Sequence, residues 1–307
     1  MARYIIRRLL LLIPIWLGIL ALTFLMRVLV PGDPVEIMFF GQQRDPEVVE
    51  MIQRDLGLDR PLYEQFVIYV WGVMQGDLGT SITTQNAVWD EIKARFPYTF
   101  VLTVTSLGIA IVIGLVAGIL SAVYKDSIID ALAMIFALAG LSMPAFWLGL
   151  LLIYVFAVQL GWFPVLGEMS ARGMVLPSIT LGVIASAVLA RIVRSSMLEV
   201  LNEDYVRSAR AKGLTERTVI VRHALKNALI PILTVIGLQF GGLLSGAFVI
   251  EVVFAWHGIG ELAVIALQRR DFPLIQGVIL VVATTYVLVN LIVDVLYALV
   301  DPRISYS

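Results

Sequence analysis

Few of the residue types that carry out catalysis occur in this chain, and their spacing matches no catalytic motif that we recognise. The 307 residues include no cysteine and two histidines, His223 and His257. No Gly-Lys pair is present, which excludes a phosphate-binding P-loop, and no His-Glu-x-x-His or Gly-x-Ser-x-Gly motif occurs. We therefore predict that the chain has no catalytic site and holds no metal ion or other cofactor itself.

The pattern that remains is a run of charged and small residues over 202–214. Asn202 is a suitable N-cap, acids fill the first turn that follows it, and Arg210 lies in the last turn. Gly213 comes next, at the position where helices often close in the left-handed conformation. Thr215 can begin a second helix that continues into an apolar segment. We predict a helix, a glycine elbow and a helix, and favour a docking element for another protein over a solvated loop.

The elements around this loop are predicted to be membrane helices. Hydrophobic residues make up 60% of the chain and charged residues 15%, whereas soluble domains have roughly 25% charged residues. The net charge of -1 gives no indication of a nucleic-acid partner. A helix needs about 20 apolar residues to cross a bilayer. Six charge-free windows approach or exceed that length: 9–26, 96–124, 131–167, 173–190, 227–250 and 272–293.

The window 131–167 is predicted to hold one span, near 131–159, because few apolar residues follow Gly161 and Pro164. Four prolines are expected to kink spans or their ends: Pro14, Pro144, Pro177 and Pro231. Glycines spaced four residues apart indicate tight helix packing, with lining of a shared cavity as the alternative: Gly114, Gly118, Gly237, Gly241, Gly242 and Gly246.

The orientation follows from lysine and arginine, which accumulate in cytoplasmic loops. If the N-terminus is inside, the cytoplasmic pieces hold 13 of these residues, and the short outer pieces hold Arg172, Arg269 and Arg270. Both termini are therefore predicted to be cytoplasmic. Asp294 lies near the inner end of the sixth window, where a packing or interfacial role is favoured over proton transfer.

The segment between the first two spans is predicted to be a polar unit outside the membrane. Residues 33–95 carry 11 acids and 5 bases. A helix should begin at Pro46 and end at Gly57, and a second should cover 62–74 after Pro61. Whether this unit caps the outer mouth or is only an ordered linker is left open. The predicted division is 1–30 with the first span, 31–95 outside, and a transmembrane core over 96–307 that includes the cytoplasmic loop 197–228.

Short motifs spread over nearly the whole chain resemble those of one family. They are Tyr4-Ile5-Ile6-Arg7-Arg8-Leu9-Leu10, Val30-Pro31-Gly32-Asp33-Pro34, Leu56-Gly57-Leu58-Asp59-Arg60-Pro61-Leu62, Gly76-Asp77-Leu78-Gly79-Thr80-Ser81, the coupling-loop run 204–214 with 222–231, Arg270-Asp271-Phe272-Pro273-Leu274-Ile275-Gln276, and Asp301-Pro302-Arg303. Together they are similar to the permease subunits of bacterial ABC importers for dipeptides and oligopeptides, specifically the first of the two paired permeases.

The resemblance implies an all-α membrane protein with six transmembrane helices, a polar helical extracytoplasmic segment between helices 1 and 2, and a cytoplasmic coupling-helix loop between helices 4 and 5. That loop would insert into a groove of an ATP-binding subunit. The residues implied to couple the chain to the ATPase are Asp204, Tyr205, Arg207, Ala209, Arg210, Ala211, Lys212, Gly213 and Leu214. Four positions depart from the usual patterns. Arg207 and Ser208 stand where ABC importers in general have glutamate and alanine, and Lys226 stands where they have a later proline. His257 stands where this family often has proline.

The resemblance also implies partners and a location. The partners would be a second six-helix permease, two ATP-binding subunits that hold ATP and Mg, and an extracytoplasmic substrate-binding protein, all at a bacterial inner membrane. The cargo would be di- or oligopeptides, with glutathione or a chelated metal such as nickel as the alternative on the same scaffold. An ion-coupled secondary transporter is disfavoured, because the spans carry few charges and no inverted repeat is evident. No nucleophile or metal cluster supports a membrane enzyme.

Overall fold

The computed structural model describes residues 2–29, 46–55, 57, 59–167 and 169–300. The motifs at 30–34 and 301–303, the residues Leu56 and Leu58, and the side chain of Asp294 lie outside this description. The helices in chain order are α1 Ala2–Leu29, α2 Pro46–Asp55, α3 Leu62–Met74, α4 Val88–Val123, α5 Ile128–Ser142, α6 Ala145–Leu152, α7 Ala171–Leu201, α8 Asp204–Ala211, α9 Glu216–Thr218, α10 Lys226–Gly246, α11 Phe248–Val253, α12 Ile259–Gln268 and α13 Phe272–Val300. Two π-helical segments, Ile153–Gln159 and Val219–Leu225, continue α6 and α9.

Five of the described helices are long and apolar enough to cross a membrane, and a bent pair makes six if it is counted as one span. The all-α fold with six spans is therefore confirmed. The third span, which the sequence predicted near 131–159, consists of two helices. The helices α5 and α6 are bent by 105° at a break after Ser142. Pro144 is the N-cap of α6 and has no N–H group, so α5 cannot continue through it. The predicted kink at Pro144 is confirmed.

The centre of the bundle is the pair α4 and α7, which pack closely because glycines replace side chains at their contact. A Cβ atom on Gly114 would fall 2.8 Å from the Leu189 side chain, and one on Gly118 would overlap Val193. In the same way, Gly237 of α10 is covered by Val293 of α13. These contacts support the packing role that the glycine spacing predicted.

A buried ion pair joins three helix ends on the side of the bundle that holds the α4–α5 turn. Both carboxylate oxygens of Asp130 accept hydrogen bonds from Arg194, at 2.8 and 2.7 Å. The hydroxyl of Ser121 and the backbone N–H of Asp126 also donate to this carboxylate. The side chain of Asp130 is 7% exposed and that of Arg194 is 27% exposed. The pair therefore fixes the start of α5 against the ends of α4 and α7.

At the other end of the bundle, a buried carboxylate caps the last helix and holds a distant loop. Asp271 accepts a hydrogen bond from the backbone N–H of Leu274, at 3.2 Å, in the first turn of α13. Its second oxygen accepts from the Ser81 hydroxyl at 2.5 Å and from the Thr83 N–H at 3.0 Å. Two motifs that are 190 residues apart in sequence are thus joined by one side chain.

A second buried carboxylate at this end, Glu251 of α11, braces the turn before α12. It accepts hydrogen bonds from the Thr99 hydroxyl at 2.5 Å and from the backbone N–H of Glu261 at 3.0 Å. Burial raises the pKa of this carboxyl, and the hydrogen bonds oppose that shift. A side chain at Gly258 would overlap the carboxylate, so the glycine is required by close approach.

The helix α3 has the bounds predicted for it, but it lies along the first span. Phe66 packs edge-on against Phe24 with ring centroids 5.3 Å apart, and the Tyr69 and Thr23 hydroxyls are 3.0 Å apart. Gln65 pairs with Arg27, one turn further out on α1. The contacts run in opposite order along the two helices, so α3 packs antiparallel to α1.

Removal of the buried ion pair should destabilise the helix bundle. We expect Asp130→Ala to lower the free energy of unfolding by ~2 kcal/mol, because Arg194 loses charge-assisted hydrogen bonds at a largely buried site. The melting temperature of the purified protein measures the effect. The control is Asp126→Asn, since that carboxylate is exposed and its pair with Lys125 spans 3.9 Å. Equal melting temperatures for the two variants would contradict the role assigned to Asp130.

Candidate functional site: the helix-elbow-helix loop

The first helix of the loop, α8, begins one residue later than predicted. Glu203 is its N-cap residue and no side chain caps it. Asn202 instead ends α7, and its amide donates to the Leu198 carbonyl at 2.9 Å. The predicted N-cap at Asn202 is wrong because α7 extends to Leu201. The last carbonyls of that helix need donors, and the Asn202 amide supplies one.

The predicted glycine elbow is observed at Gly213, which has φ +78°. Its N–H donates to the Arg210 carbonyl at 2.9 Å, and the Leu214 N–H reaches the Ala209 carbonyl at 3.5 Å. These two bonds have the pattern of the Schellman motif, which closes a helix through a left-handed residue. No atom would lie within 4 Å of a Cβ on Gly213. The glycine is therefore required by backbone conformation and not by lack of space.

The second arm begins after Thr215, as predicted, and continues into the fifth span. Thr215 is the N-cap residue, and its hydroxyl lies 2.9 Å from the hydroxyl of Thr218. The short α9 passes through the π-helical Val219–Leu225 into α10 without an intervening turn. The elbow is thus attached directly to a membrane helix.

One face of the elbow is buried against the end of α7. Val206 and Ala209 of α8 and Val219 of the second arm are buried together, with Val200 and Leu201 packed against them. The small side chain of Ala209 therefore serves the chain's own packing. This apolar contact holds both arms against the bundle.

The opposite face is exposed and mixes charged and apolar side chains. Tyr205 is 41% exposed and Leu214 is 39% exposed. Of the nine residues predicted for coupling, all but Ala209 lie on this exposed surface: Asp204, Tyr205, Arg207, Arg210, Ala211, Lys212, Gly213 and Leu214. The structure brings these residues together on one short projecting unit.

Two polar contacts across the elbow were missed by the sequence reasoning. The Arg210 guanidinium donates to both Glu216 oxygens, at 2.9 and 3.4 Å, and so links the two arms. The Asn227 amide donates to the Tyr205 hydroxyl at 2.8 Å. Neither pair has the three- or four-residue separation of contacts within one helix, because the two partners lie on opposite sides of the reversal at Gly213. Opposite charges flanking a predicted elbow are the signal that could have found the first pair.

This arrangement has the properties of a protein-docking surface. An α8 of eight residues is about 12 Å long, with one face fixed and one face free. Within the described part of the chain, no three potential ligands among His, Asp and Glu come together to hold a metal ion. His257 instead lies 2.8 Å from Glu261 near the turn before α12. The elbow therefore presents exposed side chains for contact with another protein.

Substitution of Gly213 should misplace α8 while the membrane bundle remains intact. Gly213→Val places a β-branched residue in the left-handed conformation, which costs roughly 1–2 kcal/mol, and we expect loss of activity that depends on docking. Gly213→Asn is the matched control, because asparagine tolerates this conformation. Transport and ATPase stimulation, measured at equal membrane levels of the variants, test the elbow. Full activity of Gly213→Val would show that its closure is not needed.

Comparisons with known proteins agree with this architecture. The family model described as "Binding-protein-dependent transport system inner membrane component" matches residues 114–306, and the model of its N-terminal part matches residues 1–103. Relatives called "Glutathione transport system permease protein GsiC", from Escherichia coli strain K12 and from Shigella dysenteriae, are 47% identical over 100% of both chains.

Solved structures share the fold of the bundle. A chain of the MetNI methionine ABC transporter in an inward-facing conformation has a TM-score of 0.58 and 21% identity, and covers 68% of this chain and 96% of its own. A chain of an amino acid ABC transporter crystallised with histidines has a TM-score of 0.52 and 21% identity, and covers 70% of this chain and 94% of its own. From the family models and the 47% relatives, we conclude that the chain belongs to the inner-membrane permease components of binding-protein-dependent ABC transport systems.

Proposed function

We propose that this chain is one of two permease subunits of an ATP-driven importer and that its elbow docks on an ATP-binding subunit. The observation that carries the proposal is the exposed face of α8. The opposite face of this helix is packed against the bundle, and the second arm of the elbow continues directly into a membrane span. Tyr205 and Leu214 supply apolar contact area, and Arg207 and Lys212 supply charge. ATP and Mg bind to the partner subunits, and this chain contributes no catalytic group.

The geometry supports a mechanical role for the elbow. The Gly213 closure, the Arg210–Glu216 pair and the buried Val206 and Val219 make the two arms one unit. A displacement of α8 by the ATP-binding subunit would therefore move α9 and, through the π-helical segment, the fifth span. Closure of the two ATP-binding subunits would switch the pathway between inward- and outward-facing states. Such motions usually occur as rigid-body shifts of packed elements.

The remaining partners follow from the family and from the distribution of charge. A second six-helix permease completes the pathway, and a substrate-binding protein delivers the cargo from outside. The lysine and arginine bias favours a cytoplasmic position for both termini and the elbow. The 47% identity to glutathione permeases makes glutathione the first cargo to test, followed by other small peptides and chelated nickel.

A charge exchange across the elbow separates its internal role from direct contact with the ATPase. Arg210→Glu should repel Glu216 and reduce co-purification of the ATP-binding subunit. The double variant Arg210→Glu with Glu216→Arg rebuilds the ion pair. It should restore association if the role of Arg210 is to link the two arms of the elbow. Failure of the double variant to restore association would assign Arg210 to direct contact with the partner. Unchanged co-purification of the single variant would show that Arg210 has no role in binding the ATP-binding subunit.

Reconstituted transport tests the function itself. Membrane vesicles that contain this chain, the second permease, the ATP-binding subunits and the binding protein should accumulate radiolabelled glutathione or a dipeptide when ATP is supplied. Vesicles with Gly213→Val should show a rate roughly five- to thirty-fold lower if the 1–2 kcal/mol is lost from docking, since ~1.4 kcal/mol corresponds to a factor of ten. Uptake that follows an ion gradient without ATP would contradict an ATP-driven importer.

A further inference from the structure

The break between α5 and α6 leaves backbone groups without helical partners. The Met143 N–H donates to the Ala139 carbonyl at 3.1 Å, and the Ser142 hydroxyl donates to the Leu138 carbonyl at 2.9 Å. Beyond these, no donor among the described residues is hydrogen-bonded to the carbonyls of 140–143. The first N–H groups of α6, at Ala145 and Phe146, likewise have no acceptor in the described part of the chain.

The break lies deep within the apolar layer of the bundle. A Cβ on Gly140, two residues before the break, would lie 3.4 Å from the Cβ of Ala187. Ala187 lies inside the apolar window 173–190 of α7. Between Asp130 of the ion pair and Ser142 at the break, α5 rises about 18 Å. The exposed residues of the break therefore sit near mid-depth.

Hydrocarbon cannot surround such a break. Each unsatisfied backbone group costs several kcal/mol in lipid, and irregular backbone at membrane depth is found only where it is covered by protein or lines a water-filled cavity. Leu141, Ser142, Met143 and Pro144 are all exposed in this chain. Their surface must therefore face either the partner subunit or water.

We propose that the break lines the aqueous translocation pathway and forms part of the contact surface for the cargo. Four carbonyls and two N–H groups in this patch have no partner among the described residues, so whatever covers the patch must supply both donors and acceptors. A membrane helix of the partner has its backbone groups already paired, whereas water and a passing peptide supply both kinds. The proposal rests on the proposed function, because it assigns a position in that pathway.

The side chains around the break suit a cargo of variable sequence. Met143 and Trp147 are exposed beside the free carbonyls, and the flexible thioether of methionine adapts to different surfaces. Backbone groups of the protein can pair with the backbone of any peptide, whatever its side chains. This surface therefore favours binding to the peptide main chain over selection of particular residues.

The absence of cysteine from the chain makes the test direct. Ser142→Cys introduces the one thiol of this subunit, and a membrane-impermeant cationic methanethiosulfonate probes it in the complete complex. A thiol in water has a pKa near 8.5, and an apolar surrounding raises that pKa. We expect the Ser142→Cys thiol to react at least about ten-fold faster than a thiol facing lipid, which corresponds to one pKa unit or more. Modification should also block uptake of the cargo.

Phe136→Cys is the matched control, because Phe136 is 76% exposed on the same helix and points to a different face. Met143→Cys provides a second probe in case Ser142→Cys does not assemble. The proposal would be overturned if the thiols of Ser142→Cys and Met143→Cys were both protected from the reagent, or reacted no faster than the thiol of Phe136→Cys. Either result would indicate that protein covers the break. The rate of thiol modification can be measured without a known cargo. A slow reaction would therefore contradict this inference alone, whereas absence of ATP-driven uptake by the unmodified complex would contradict the proposed function.

Discussion

The need to pair every backbone polar group inside an apolar layer determines how this protein is built. Long helices satisfy that need for most of the chain, and glycines let the helices approach closely where α4 meets α7. In the described part of the chain, the buried ion pair and the capping carboxylates lie near the ends of the bundle, whereas the break after Ser142 and the π-helical Ile153–Gln159 lie within the third span. Because non-helical backbone is costly in the apolar layer, an exposed helix break at mid-depth identifies a region that water or another protein must reach.

Both ends of the bundle are held by carboxylates that are fully used as acceptors. Asp130 joins three helix ends on one side, while Asp271 and Glu251 each fix a helix start and a distant segment on the other. The elbow differs from these buried sites, since its Arg210–Glu216 pair is exposed and it projects from the bundle. A rigid bundle with one projecting, internally braced unit is suited to receive force at a defined point.

Much of this architecture could be predicted from the sequence, because hydrophobic windows and glycine closure are local signals. The six windows, the bounds of α3 and the elbow at Gly213 all depend on residues that are neighbours in the chain. The missed features depend on residues far apart in sequence or on competition between helices. Asp271 with Ser81 and Arg210 with Glu216 required the fold, and Asn202 ended α7 because that helix extended further than its apolar window. The sharp bend at Pro144 was underestimated, since a proline alone does not determine the angle.

The continuity of the second arm has a consequence for the evolution of the chain. From Glu216 to Gly246 the backbone is helical throughout, so each residue added or removed rotates everything beyond it by roughly 100°. An insertion or deletion there would change the direction in which the elbow points or turn the fifth span away from its neighbours. The described residues between Gln159 and Ala171 are non-helical, and such a connection can absorb a change in length. Among homologous chains, differences in length should therefore occur in that connection and be absent from the continuous helix Glu216–Gly246.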